Sequence, residues 1–196
     1  SPALDLRASG DPSLNTGTTR FAVKGGLSWD VYEPLVDSSL DQGGEKLQVS
    51  VRSPQQEGTG AGRQSWDLRV NPAFSSVVQV TGGAADLDFD LESFFVEELT
   101  VSAGVTSAEI RCGSWDKESN ISLTGGVVNA KFVVPDDVGI KLSVSGPPLV
   151  TRVSIAGLNI TKQGTNWISE GYEDAPAKIN IEVSCGAGKV ALVKAK

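Results

Sequence analysis

A glycine between two short alternating strands recurs along the chain at a nearly fixed interval. These glycines are Gly83, Gly104, Gly126 and Gly146, which are 21, 22 and 20 residues apart, and Gly186 follows 40 residues later, or two such intervals. A period of roughly 20 to 50 residues is typical of repeat architectures. The spacing predicts stacked coils of a β-solenoid, with a glycine at each corner, where we expect a sharp turn and often a positive φ.

Apolar residues alternate with polar ones on both sides of these glycines, which predicts strands with one buried face. Helical periodicity is almost absent. We therefore predict an all-β fold, a β-solenoid similar to a single-stranded β-helix, with short strands; a β-sandwich of similar hairpins is the alternative. The residues predicted to face inward are Leu87, Phe89 and Leu91; Ala108, Ile110 and Cys112; Val128, Ala130, Phe132 and Val134; Ile140, Leu142 and Val144; and Ile179, Ile181, Val183 and Cys185.

The N-terminal third is less regular than the rest of the chain. We interpret residues 1–62 as a divergent β cap or extension, with a flexible Gly- and Gln-rich loop over 55–64. Residues 63–196 form the predicted solenoid. No linker separates the two parts clearly, so we expect one continuous domain.

Composition excludes several functions. The net charge is −7, which disfavours binding to nucleic acid or directly to anionic lipid. The chain has no histidine, so neither a Ser/His/Asp nor a Cys/His catalytic site can form. We predict no enzyme activity and no cofactor. The two cysteines lie on inward positions about four coils apart, and we predict two separate, buried, reduced thiols.

Two sets of side chains are candidate sites. Asp86, Asp88 and Asp90 form an outward acidic row, for which we weighed a calcium site or glycoside chemistry against a solvated face that blocks edge aggregation. We favour the solvated face and predict no metal. A long interruption of the coil rhythm carries the second set, whose aromatic residues either form a recognition patch or cover the open end of the core. Its candidate binding residues are Trp167, Tyr172, Glu173 and Asp174.

From about Arg63 onward the order of motifs resembles a known family. The stretches "WDLRVNPAFSSVVQVTGGAADLDFDLESFFVEELTVSAGVTSAEIRCG", "LTGGVVNAKFVVPDDVGIKLSV" and "WISEGYEDAPAKINIEVSCGAGKVALV" carry the likeness. They are similar to the bacterial toast-rack domain of LiaF-like cell-envelope stress proteins and adhesin-like domains. The resemblance implies a β-rich solenoid-like domain, usually tethered to the membrane by N-terminal helices.

The resemblance implies a non-enzymatic, envelope-associated binding or sensory module that acts through protein contacts. The alternative is a carbohydrate-binding or carbohydrate-active β-helix protein of the cell surface. The expected partner is a protein or a cell-surface component, and the expected location is extracytoplasmic. Because the chain opens without methionine, we expect that an anchoring or export segment precedes it.

Overall fold

The computed structural model describes residues 67–196 throughout. Before them it describes residue 12 and the strand segments 3–10, 23–29, 35–40, 46–52 and 63–66, with the side chains of residues 12 and 65 among them. Most of the predicted N-terminal cap, and residues 55–62 of its predicted loop, lie outside the described residues. The division into a cap and a solenoid at residue 63 stays a prediction.

Strands dominate the described chain and join one 13-stranded, mainly parallel sheet. A short 3-10 turn, Tyr172–Asp174, precedes the last strand. The strands are β1 (Ala3–Gly10), β2 (Val23–Trp29), β3 (Leu35–Leu40), β4 (Lys46–Arg52), β5 (Arg63–Val70), β6 (Ser75–Leu91), β7 (Val96–Cys112), β8 (Glu118–Val134), β9 (Gly139–Ser145), β10 (Thr151–Ala156), β11 (Ile160–Gln163), β12 (Asn166–Ser169) and β13 (Lys178–Lys194).

Four of these strands, β6, β7, β8 and β13, are 17 residues long, each bent at its corner glycine into two arms. The first arm precedes the glycine and the second arm follows it. Four residues join the end of β6 to the start of β7, whose Val96 pairs with Ser76 of β6. So short a connection spans about 14 Å, so the two arms of a coil must fold back toward each other. The predicted solenoid is confirmed, but its strands run through the corners and are not short.

The coils do not stack in the order of the chain. β13 pairs with β8 on one side and with β9 and β10 on the other, so the last coil lies between the third and the β9–β10 coil. The expectation that Gly186 marks a coil two intervals beyond Gly146 is therefore wrong. The fixed period gave the length of a coil correctly, but pairing between strands decides the stacking order.

Close approach of stacked backbones, not a positive φ, explains the corner glycines. None of the five has a positive φ. A Cβ on Gly104 would lie 2.8 Å from the carbonyl oxygen of Gly83, and one on Gly126 would lie 3.0 Å from that of Gly104. A Cβ on Gly186 would in turn lie 2.9 Å from the Gly126 oxygen. These three corners thus pack their backbones directly on the neighbouring corner, where a side chain does not fit without a shift of the backbone.

The core is one cluster of buried side chains between the two sets of arms. The predicted inward faces are confirmed: Ile110 and Phe132 are 0% exposed and Ile181 is 1% exposed. Val144 is the exception, since it is half-buried near the end of the stack. The alternation of the sequence therefore assigns the two faces of each strand correctly.

The two cysteines are buried and free, as predicted, but the spacing given for them was wrong. Cys112 lies on β7 and Cys185 on β13, and only β8 separates these strands. They are two coils apart instead of four. They remain separate because Cys112 ends a second arm whereas Cys185 lies beside a corner, level with Ala103 and so nine residues, or about 30 Å, away along the strands.

The stacked corners predict that alanine at a corner glycine destabilises the chain more than alanine at a glycine beside a corner. Gly104→Ala should lower the free energy of unfolding by about 1 to 3 kcal/mol, because its Cβ meets backbone that cannot rotate away. Gly82→Ala is the matched control, since the nearest atom to its Cβ is 3.8 Å away, and it should change stability by less than about 0.5 kcal/mol. Urea unfolding of both variants measures this. Equal losses would contradict the corner contact.

Burial of Cys112 predicts a loss of stability at high pH. Burial, and secondarily the Glu92 carboxylate, raises the pKa of this thiol from 9.0 to about 12. The folded chain keeps the thiol neutral while the unfolded chain ionises it. The resulting stability is complete below pH 9 and is lost as the pH rises toward 12.

We therefore expect the stability of the native chain, measured relative to the Cys112→Ala variant, to fall by about 1 to 3 kcal/mol between pH 9 and pH 11. Subtracting the variant removes the titration of the lysines and tyrosines that both chains share. Urea unfolding at several pH values gives the difference. A difference that stays constant over this range would contradict the raised pKa.

Candidate functional site

The outer face of the second arms carries polar side chains in straight rows. Successive side chains of a strand point to opposite faces, and the coils stack in register, so equivalent outward residues become neighbours. From β6 to β10, the row nearest the corner, here called the corner row, consists of Asp86, Ser107, Asn129, Lys189 and Arg152; β1 continues it beyond β6, with Asp5 in register with Asp86. The next, here called the middle row, consists of Asp88, Glu109, Lys131, Ala191 and Ser154.

An open groove of about 610 Å³ follows these two rows from β6 to β13. Asp86 lines one end of it and Lys189 the other, with Ser107 and Asn129 between them. Three strand spacings separate the outer two residues, or about 14 Å. The groove is therefore acidic at one end, basic at the other and neutral in the centre.

The middle row balances its own charges together with Arg111. The Arg111 guanidinium donates from Nη2 to Asp88 Oδ1 at 2.5 Å and from Nη1 to Glu109 Oε1 at 3.0 Å. The ammonium of Lys131 lies 3.3 Å from the same Glu109 oxygen. These side chains are half-exposed, so each pair contributes little alone, but the network orders this row.

The corner row has no such balance. Among the described residues, none of its side chains has a hydrogen-bond or ion-pair partner. Lys189 and Arg152 are directly opposite each other on β13 and β10. Like charges in such positions repel and destabilise a sheet. The row therefore keeps an unpaired carboxylate at one end and two unpaired cations at the other, both facing the solvent.

The aspartates Asp86, Asp88 and Asp90 point outward, as expected from the alternation. Asp88 binds Arg111, and Asp90 accepts a hydrogen bond from the backbone N–H of Glu92 at 3.2 Å. Within the described part of the chain, no three His, Cys, Asp or Glu side chains are grouped so that they could hold a metal ion. Asp88 and Asp90 thus lie beside Arg111, whereas Asp86 lies beside Ser107.

Trp167 lies on β12 directly opposite Leu142 of β9, so both side chains face the core. It is half-buried and packs against the core cluster at the end of the stack. The ammonium of Lys162 lies 4.9 Å from its ring centroid. The ring therefore has the core and a lysine as neighbours, which is the covering role weighed as an alternative in the sequence.

Tyr172 lies on the other side of that sheet, since its hydroxyl donates to Oδ1 of the outward Asn180 at 2.5 Å. The ammonium of Lys178 is 5.3 Å from its ring centroid. Burial, followed by Glu118 and Glu173, raises the pKa of the phenol, against the effect of the Asn180 hydrogen bond.

Glu173 and Asp174 are exposed in the 3-10 turn beside Tyr172. Trp167 and Tyr172 face opposite sides of the sheet, so the structure does not bring the four predicted binding residues into one patch.

The sequence does contain a signal for the corner row. Asp86, Ser107, Asn129 and Lys189 are each the third residue after a corner glycine. Aligning the coils on their glycines places these four residues in one column. Only the inserted position of β13 then shows that Lys189 is next to Asn129. Arg152 is not the third residue after its corner glycine, because the corner loop before β10 is longer.

These features define an all-β solenoid module with an exposed, charged groove. The family model for the N-terminal domain of toast_rack, DUF2154, matches residues 5–133. The match covers well over half of the chain, and the chain belongs to the toast-rack family. It includes β6, β7 and β8, which supply most of the groove, whereas Lys189 lies beyond it.

Comparison with solved structures gives the same fold. The crystal structure of a "putative cell adhesion protein" from Clostridium sporogenes ATCC 15579 aligns with a TM-score of 0.82 and 17% sequence identity, over 99% of this chain and 90% of that one. A comparison with curated proteins gives no match. Among the described residues, no helix has the length and hydrophobicity needed to cross a bilayer.

Proposed function

We propose that this chain is a non-enzymatic binding module of the cell envelope that acts through protein contacts made by the groove on its second arms. The corner row is the observation that carries this proposal. Its Asp86 and the adjacent cations Lys189 and Arg152 have no hydrogen-bond or ion-pair partner among the side chains that the structure describes. A polar surface that carries opposite charges at a set distance favours a partner with the complementary arrangement.

Membership of the toast-rack family and the adhesion name given to the Clostridium sporogenes protein support a role at the cell surface. The absence of histidine supports a role without catalysis, because general acid–base sites most often use that residue. Exposed charges such as Asp86 and Lys189 direct recognition between proteins, where charge complementarity sets the choice of partner more than the affinity itself.

A carbohydrate ligand is the second candidate, but the aromatic side chains give it little support. Sugar rings stack on exposed aromatic faces, and Trp167 has the core on one side and the Lys162 ammonium 4.9 Å from its ring. Tyr172 has Lys178 at 5.3 Å and a hydroxyl engaged by Asn180. Both rings are occupied by contacts of the chain itself.

The test is binding of the fluorescently labelled chain to cells that produce it, after three treatments. We expect binding to untreated cells and to glycosidase-treated cells, and at least a tenfold loss after brief surface proteolysis. The reverse pattern, with loss after glycosidase alone, would support the carbohydrate candidate and reject protein contact.

Two lysine variants locate the contact. Lys189→Asp should weaken the binding at least tenfold, because it reverses a charge of the groove. Lys141→Asp is the matched control, since Lys141 points outward from β9 on the opposite, first-arm face. It should bind as the native chain does. Equal effects of the two substitutions would show that net charge, and not the groove, governs binding.

A further inference from the structure

We propose that the partner of the second-arm face is the same face of a second copy of this chain, related to it by a two-fold axis that runs parallel to the strands between β7 and β8. This inference rests on the proposed function, since it names the protein that the groove contacts. Binding to a second copy about a two-fold axis requires a self-complementary surface: each side chain on one side of the axis must be complementary to its counterpart on the other side.

The corner row has this property. A two-fold axis along the strands keeps each row at its own height and reverses the order of the strands. Asp86 of β6 then lies over Lys189 of the second copy, and Lys189 lies over the second copy's Asp86. Ser107 lies over Asn129 in the same way, as two neutral hydrogen-bonding side chains. The dimer thus contains two equivalent ion pairs, each between the Asp86 carboxylate of one copy and the Lys189 ammonium of the other.

In the two neighbouring rows the residues beside the axis follow the same rule, whereas at the outer strands of the middle row Asp88 lies over Ala191. In the middle row, Glu109 of β7 lies over Lys131 of β8. On the corner side of the corner row, Val105 and Val127 are opposite each other in register and 50% and 38% exposed. The axis therefore places one valine over the other at the corner edge of the contact, beside the charged rows.

The remaining exposed large apolar residues of the described chain are close to this strip. Leu149 and Val150 are 93% and 51% exposed in the loop before β10, where the N–H of Gly188 donates to the Val150 carbonyl. Val105, Val127 and Val150 thus lie along the corner edge of the second-arm face, and Leu149 is next to Val150 in the chain. Their exposure in water is unfavourable, and contact with a second copy removes Val105 and Val127 from it.

The size of the face predicts a weak dimer. The four strands β6, β7, β8 and β13, at about 4.8 Å apart and with arms of eight residues at about 3.3 Å, cover roughly 500 Å² on each copy. The total is near the lower limit for a specific interface. Sheets packed face to face cross at about 30°, an angle that flexible lysine side chains can accommodate. We therefore expect an assembly that forms at micromolar concentrations and is weakened by salt.

Charge exchange between two variants tests the arrangement directly. Asp86→Lys places lysine over Lys189, and Lys189→Asp places aspartate over Asp86, so each variant repels itself at both contacts. Mixing the two restores both attractions in a mixed dimer. By sedimentation velocity we expect the native chain to dimerise, each variant to dimerise at least tenfold more weakly, and the equimolar mixture to recover most of the native affinity.

Controls separate this from other effects. Glu182→Lys makes a similar charge change on the outer face of the first arms and should leave dimerisation unchanged. Circular dichroism of each variant checks folding, and recovery in the mixture itself shows that both variants are folded. A native chain that stays monomeric at 200 µM, variants that dimerise like the native chain, or a mixture that stays monomeric would each overturn the proposal.

The cell-binding assay distinguishes failure of this inference from failure of the proposed function. If the chain is monomeric and Lys189→Asp still loses cell binding, the groove contacts a different protein and only the two-fold arrangement is rejected. If the substitution changes neither dimerisation nor cell binding, both proposals are rejected.

Discussion

Direct contact between backbones at the corners is the constraint on which the rest of the fold depends. The corner glycines Gly104, Gly126 and Gly186 lie so close to the carbonyl of the neighbouring corner that a Cβ on any of them would be only 2.8 to 3.0 Å from its oxygen. Because nothing separates the coils there, the strands bend without losing their register. Both arms of a coil are consequently aligned with the next coil by the same contact, and outward residues fall into rows.

The insertion of β13 gives these rows their final order. The last strand pairs with β8 on one side and with β9 and β10 on the other, so the end of the chain is held inside the sheet instead of at its edge. An internal position leaves no unpaired ladder along this strand. It also brings Lys189 next to Asn129 and Arg152 next to Lys189, and so gathers the basic end of the groove from distant parts of the sequence.

Sequence reasoning succeeded where the structure depends on local pattern and failed where it depends on contacts between coils. Alternation alone predicts that Ile110 and Phe132 are buried, because a strand has only two faces. The stacking order, by contrast, is set by pairing over 60 residues of sequence, as between Lys189 and Asn129. The expectation of a positive φ at the corners was wrong for the same reason. Glycine is required there by the backbone of the neighbouring coil, which leaves no room for a Cβ, and not by the conformation of the turn itself.

Alternation also separates the chemistry of the surface from the stability of the core. On the first arms, the outward row beside the corner consists of Thr81, Ser102, Thr124, Ser184 and Ser145, all neutral hydroxyl side chains. On the second arms, the equivalent positions carry Asp86 at one end and Lys189 at the other. The two faces share one backbone register and one core. Packing of the core therefore does not explain why one face carries neutral hydroxyl groups and the other carries charges. Repulsion between Lys189 and Arg152 is a cost that folding alone does not explain, and in the proposed dimer the Asp86 carboxylate of the second copy offsets it.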